Sequence, residues 1–267
     1  MKKILLETIA QSERRLTPII LGQIVSKKYG FDHRRVKAGI KALVTSGDLI
    51  YTYRFGCTFL EPSLGKPTRV SRRVILKPPD MSHEAKPGDI VIALKHGAAF
   101  GSGRHPSTRL AVQAIEHLHD RTGGFPKGHH TRILDIGTGS GILILTAVLF
   151  GIDSGIGVDI DPCAIVEAGE NIAINGLAKR ITVDRIPLES ISRSFFMVTA
   201  NLRFPSLVNY SDVIGQQTVP AGFAVLSGIK TDELDKLIDV YTAKNFTCVW
   251  KRAEKDWAAV ALNKNGK

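Results

Sequence analysis

The chain has 267 residues, 43% of them hydrophobic and 23% charged, the composition of a globular protein rather than a disordered or fibrous one. No stretch reaches the ~18 uninterrupted apolar residues of a membrane-spanning helix, and Glu7 interrupts a start that faintly resembles a leader peptide. The net charge of +11 is lopsided: residues 1–87 carry 17 Lys/Arg against 7 Asp/Glu, whereas residues 88–267 carry 19 against 18, so the first third is where an acidic or nucleic-acid partner is expected.

Residues 3–11 predict a short helix with Ile4, Leu5 and Ile9 on one side. Thr17 is placed as an N-cap with Pro18 at the first helical position, a favoured start. Ile20, Leu21, Ile24 and Val25 then recur at helical spacing until Gly30. Asp32 is the next N-cap, and Val36, Ile40, Leu43 and Val44 carry a third helix to Gly47. Leu49–Tyr53 and Cys57–Leu60 read as strands joined by a turn near Arg54 and Gly56.

Three helices and a hairpin predict a winged helix-turn-helix domain over residues 1–61. Its third helix carries Arg34, Arg35, Lys37 and Lys41, with Arg54 near the wing tip. Such a face suits phosphate and groove contacts, and the same module also serves as a protein-docking unit. Residues 62–94, punctuated by Pro67, Pro78, Pro79 and Pro87, read as a linker with a strand over Val70–Leu76. Residues 95–267 form the remaining domain.

Arg132–Ile136 is a buried-strand pattern running into Gly137-Thr138-Gly139-Ser140-Gly141, then an apolar helix, then a strand ending at Asp159. Glycines let the backbone turn tightly and approach a ligand, and the N–H groups of a helix start point at it. A carboxylate at the end of the second strand suits two ribose hydroxyls, and Asp159 lies 22 positions after Gly137, close to the expected spacing of about 20. Position 142 is Ile, so the dinucleotide pattern G-x-G-x-x-G is not met. The G-x-G-x-G form favours S-adenosylmethionine, which has no pyrophosphate to cradle. Asp135, just before the loop, is placed to meet the cofactor's methionine ammonium directly or through water.

Further strands are expected at 180–183, 196–200 and 222–226, the last after a turn at Pro220-Ala221-Gly222. A helix at 232–244 capped by Thr231 and a closing hairpin from 246–250 and 257–262 complete the pattern. The predicted fold class is α/β: a doubly wound class I methyltransferase sheet, Rossmann-like, behind a small winged helix-turn-helix domain.

At this point the residues resemble a known family. Ala99-Phe100-Gly101-Ser102-Gly103-Arg104-His105-Pro106-Ser107-Thr108 is similar to the A-F-G-T-G-x-H-x-T-T segment of PrmA-type ribosomal protein (L-eleven) lysine methyltransferases. Leu134–Leu143, Gly157–Pro162, Glu170-Asn171 with Asn175-Gly176, Ala200-Asn201-Leu202 and Leu226–Ile229 match its later motifs. The resemblance covers roughly residues 95–262. It implies an enzyme that methylates protein amines, lysine or N-terminal, of a ribosomal protein. It also implies Thr108, Gly137, Asp159 and Asn201 as cofactor-binding residues, beside Asp135, Gly139 and Gly141 from the loop itself. Asn201, at the end of the fourth strand where amino-methyltransferases place the acceptor, is the candidate catalytic residue. The family's ferredoxin-like N-terminal domain has no counterpart in residues 1–60, and Phe196 stands where the family commonly has Asp.

A lysine acceptor must shed a proton of pKa about 10.4, which an apolar pocket eases; Phe100, Leu202 and Phe204 are candidates for that pocket. No general base is evident. His117 and His119 are two apart on a helix and do not share a face, His129-His130 falls in a polar loop, and the three cysteines are odd in number and widely spaced. No metal site, disulfide framework or membrane partner is therefore expected, and the cytoplasm is the default compartment. His105 reads as a loop anchor. The alternative readings are an RNA or DNA methyltransferase, with the basic domain holding the polymer, and a nucleic-acid-binding regulator that only senses the cofactor.

Overall fold

The computed structural model describes residues 1–12, 15–54, 56–63, 65–95, 103, 105–126 and 131–266. The chain divides into two compact units, Met1–Thr68 and Arg69–Lys267.

The first unit holds α1 (Lys2–Gln11), α2 (Pro18–Tyr29), α3 (His33–Thr45), β1 (Leu49–Arg54) and β2 (Cys57–Pro62). Thr17 caps α2 through its hydroxyl, which accepts the Ile20 N–H at 3.2 Å, and Gly30 ends it at φ 69°. Asp32 occupies the N-cap of α3 but makes no side-chain cap bond. β1 and β2 pair antiparallel with Arg54 opposite Cys57. Leu16 adds a single antiparallel bridge to Leu60. Leu5, Leu21, Val25, Val36, Ile40, Leu43 and Leu49 close the core, so each helix turns one apolar stripe inward.

The second unit begins with a small sheet of β3 (Thr68–Arg69), β4 (Val74–Lys77) and β5 (Ile90–Ala93), in that order. The expected strand at 70–76 is broken, because the Ser71 hydroxyl accepts the Val74 N–H at 3.0 Å and the Val70 N–H closes onto the Val74 carbonyl at 2.9 Å. β5 was not foreseen; it pairs parallel with β4. Val74, Leu76, Ile92 and Leu94 join the core of this unit.

The main elements follow: α4 (Pro106–Arg121), β6 (Arg132–Ile136), α5 (Ile142–Leu149), β7 (Ser154–Val158), α6 (Pro162–Ile174), β8 (Ile181–Asp184), β9 (Phe195–Asn201), α7 (Phe204–Asn209), α8 (Ser211–Gln217), β10 (Thr218–Lys230), α9 (Leu234–Thr242), β11 (Phe246–Glu254) and β12 (Trp257–Lys264). The seven-stranded sheet has the order β11-β12-β10-β9-β6-β7-β8. β6 pairs parallel with both β7 and β9, and β12 runs antiparallel to both its neighbours. The fold is thus α/β with a doubly wound, mostly parallel sheet. The strand order reverses at β6, and the crevice at the carboxyl end of such a switch point is where open α/β sheets bind ligands.

Two expectations change. β10 runs from Thr218 and takes in the predicted turn, with Ala221 at φ 59° and a register shift between Thr218 and Phe223. Thr231 opens a short 3-10 turn instead of capping a helix; the Glu233 carboxylate accepts the Lys230 N–H at 2.7 Å, and α9 starts at Leu234. Helices α7 and α8, also unforeseen, fill the connection from β9 to β10. No described helix is long and apolar enough to cross a membrane.

Candidate functional site

The glycine loop leaves β6 at Gly137, whose φ is 69°, a region L side chains rarely enter. A Cβ there would also stand 2.7 Å from Leu202 Cδ2. Glycine at 137 therefore meets two demands, the turn and the close approach. The Gly137 and Thr138 N–H groups donate to the Val158 carbonyl at 2.9 and 3.0 Å, which binds the loop to the end of β7. Gly141 is the N-cap of α5.

Two carboxylates hold this loop. Asp159 Oδ2 accepts the Gly139 N–H at 2.9 Å, and its Oδ1 accepts the Asp161 N–H at 3.0 Å. Asp161 in turn caps α6 by accepting the Cys163 N–H at 2.9 Å. Asp135 lies underneath. Its oxygens accept the Thr138 hydroxyl at 2.8 Å and the Thr199 hydroxyl at 2.6 Å. Burial pushes its carboxyl up to about 6, against the pull of those two hydroxyls. At 1% exposure, this side chain reaches the loop from below through the Thr138 hydroxyl.

A third set of residues closes the crevice. Asn201 ends β9, and its Nδ2 donates to the Thr108 hydroxyl on the first turn of α4 at 3.2 Å. Thr108 is fully buried. The other end of the amide, Asn201 Oδ1, is buried with no hydrogen-bond partner among the described residues. Leu202 follows, its N–H donating to the Ser227 carbonyl at 3.0 Å, and Phe204 opens α7. Phe100, the third candidate for an apolar wall, and the stretch 99–102 with Arg104 lie outside the described residues.

His105 is the N-cap of α4, its Nδ1 accepting the Ser107 N–H at 3.3 Å. Its ring meets Trp257 edge-on at 4.4 Å, and Lys230 Nζ sits 4.2 Å from the Trp257 ring centre. Burial, then the nearby cations Arg109, Lys230 and Lys255, push the imidazole down to about 4. His105 is thus neutral at neutral pH and is bound into the wall as an anchor.

Thr108, Gly137, Gly139, Gly141, Asp159 and Asn201 thus gather at the carboxyl ends of β6, β7 and β9, with Asp135 beneath them. Arg34, Arg35, Lys37 and Lys41 belong to the first unit. They stand exposed on α3, opposite its buried Val36, Ile40 and Leu43. None of the four has a carboxylate within ion-pair distance among the described residues. The Arg54 side chain is outside the described residues. His117 and His119 do different jobs: the first stacks on Trp250, and the second bonds Arg73 at 3.0 Å.

Asn171 and Asn175, matched to the family's motifs without an assigned role, are supporting residues. Asn171 Nδ2 donates to the Ser140 carbonyl of the glycine loop, and its Oδ1 accepts the Lys95 N–H, both at 2.9 Å. Asn175, one helical turn on, bonds both backbone polar groups of Ala93. The i, i+4 spacing of two asparagines on one helix face was the available signal. Thr199 gave none, because its partner Asp135 is 64 positions away.

The family profile described as "Ribosomal protein L11 methyltransferase (PrmA)" matches residues 63–265. The chain belongs to this family. Curated members include the Ribosomal protein L11 methyltransferase of Geotalea daltonii, 34% identical over 201 residues, 74% of this chain and 64% of that protein. The Geobacter metallireducens member is 37% identical over 194 residues, 73% of this chain and 61% of the relative. The chain thus spans less than two thirds of the length of these relatives. The solved ribosomal protein L11 methylase of Lactobacillus delbrueckii subsp. bulgaricus matches with a TM-score of 0.65 at 24% identity, over 75% of this chain and 99% of that one, a likeness that shows the fold. Nearly all of the first unit precedes the family match.

Proposed function

We propose that this chain is a cytoplasmic S-adenosylmethionine-dependent methyltransferase acting on protein amines, a lysine side chain or an N-terminus, of a ribosomal protein. The observation that carries the reading is the buried, unpartnered Asn201 Oδ1 beside Thr108 at the mouth of the glycine loop. A buried polar atom without a partner is costly, and a ligand that supplies an N–H removes that cost. Family membership supports the same reading.

The residues present fit the cofactor. Gly137 lets the loop turn at φ 69°, the half-buried Asp159 offers a carboxylate to ribose hydroxyls, and Thr108 and Asn201 suit the methionine end. When bound, S-adenosylmethionine supplies a methyl group already activated by a sulfonium. The chain's own part is to bind, to orient and to exclude water. Leu202 and Phe204 are apolar neighbours that disfavour a charged ammonium and so favour the neutral amine. Asp135 and Asn171 keep the loop in shape.

We read residues 1–61 as a winged helix-turn-helix domain, 62–94 as the connection and 95–267 as the catalytic domain. A second reading, an acceptor on RNA or DNA, is favoured by the exposed cations of α3. Tritiated methyl transfer into lysate from a strain lacking this protein separates the two. Label lost to protease but not nuclease supports the protein acceptor, and loss to nuclease alone overturns it. Cofactor binding with no label on any macromolecule leaves a cofactor sensor.

A further inference from the structure

Asn201 Oδ1 is not the only orphan in this region. Ser227 Oγ is also buried and without a hydrogen-bond partner among the described residues. The two residues are direct partners in the parallel pairing of β9 with β10. Side chains so paired leave the sheet on the same face, and on this face Thr108 of α4 meets Asn201.

The backbone is irregular at this point. The pairing of β10 with β12 shifts between Ser227 and Ile229, around Gly228 at φ 88°. A Cβ on Gly228 would stand 2.8 Å from Asn201 Oδ1 and 2.6 Å from the Leu202 carbonyl oxygen. A bulge bends a strand and re-aims its side chains at the expense of ladder bonds. Here β10 lies close against Asn201, and the Ser227 hydroxyl beside it has no partner among the described residues. Two adjacent buried orphans call for a common partner.

We propose that Asn201 Oδ1 and Ser227 Oγ together receive the acceptor amine, with Ser227, which lies in the Leu226–Ile229 motif, as a residue of the site to which the family resemblance assigns no role. The inference deepens, and rests on, the amine-methyltransferase reading. A neutral primary amine has two N–H bonds and one lone pair. The lone pair must face the methyl carbon, so both N–H bonds need oxygen acceptors. Asn201 is held to this role because its Nδ2 is committed to Thr108, which leaves the oxygen toward the ligand.

The chemistry balances. The nitrogen lone pair forms the N–C bond as the C–S bond breaks, its electron pair staying on sulfur, which becomes a neutral thioether. The nitrogen keeps both hydrogens and takes the positive charge, then loses one proton to water. Hydrogen bonds to the two oxygens strengthen as that charge grows, so they favour the transition state over the ground state.

Ser227→Ala and Ser227→Cys test this with three readouts. Without ligand, Ser227→Ala removes an unpaired hydroxyl, so Tm stays level or rises; a fall of more than about 5 °C would show a structural partner and overturn the assignment. By calorimetry, affinity for S-adenosylhomocysteine stays within about twofold; a loss of about tenfold places Ser227 on the cofactor and overturns it. With ribosomal protein L11 as acceptor, kcat falls about tenfold or more in both variants while KM moves by less than about threefold; wild-type kcat in Ser227→Ala overturns it. If the wild-type protein labels lysate protein but not ribosomal protein L11, the substrate reading fails and the same ratio, read on lysate protein, still decides Ser227. No label on any amine overturns both.

Discussion

The Asn201 amide donates to the Thr108 hydroxyl at 3.2 Å, joining the end of β9 to the first turn of α4 across 93 positions of sequence. The bond fixes which end of the amide faces the crevice. Thr108→Val keeps the volume and removes the acceptor. S-adenosylhomocysteine affinity is then expected to fall about tenfold, or about 1.4 kcal/mol. Calorimetry showing wild-type affinity would remove Thr108 from the cofactor site.

Asp159 bonds the backbone of both loops through its two oxygens. Asp159→Ala is expected to weaken cofactor binding by about 1–3 kcal/mol, the scale of a charge-assisted hydrogen bond. An unchanged dissociation constant would refute the ribose role.

Asp135 gives a pH signature. Its folded-state pKa of about 6 lies above the ordinary 3.8, so between these values the unfolded chain has released a proton that the folded chain keeps. Stability contributed by this group is present at pH 4, is lost as pH rises toward 6, and is constant above. Asp135→Asn removes that dependence. Relative to wild type, the variant should gain about 2 kcal/mol on going from pH 4 to 7. Urea midpoints at the two pH values measure it, and an equal difference at both would contradict the buried assignment.

Glycine substitutions at the crevice should differ in severity. An added Cβ at Gly137 meets the tip of the Leu202 side chain, which can rotate, whereas at Gly228 it meets the Leu202 carbonyl oxygen, which cannot. Both positions have positive φ, so Gly137→Ala should cost about 1–2 kcal/mol and Gly228→Ala more than about 2 kcal/mol. Thermal melts giving the reverse order would show that β10 yields more easily than the bulge implies.

The basic face of α3 makes a separate prediction. If Arg34, Arg35, Lys37 and Lys41 touch phosphates, replacing all four by Ala should lower the slope of log affinity against log salt by about three. S-adenosylhomocysteine affinity should not move. A salt slope equal to that of the wild type would remove nucleic acid as the ligand of this face.

The glycine loop and its downstream acid were legible in the chain because they are local: a turn and a helix start demand glycine wherever they occur, and Asp159 follows at the span of one βαβ unit. The Thr17 cap, the α3 stripe and the closing hairpin were legible for the same reason. The pairing of Ser227 with Asn201, the hydroxyls on Asp135 and the asparagine tethers to Ala93, Lys95 and Ser140 were not. Each joins residues from different elements, and nothing in residue type or spacing says which strand lies beside which. Asp135 shows the consequence most plainly. Its place before the loop was legible; that Thr199 packs on it across the sheet and buries it was not.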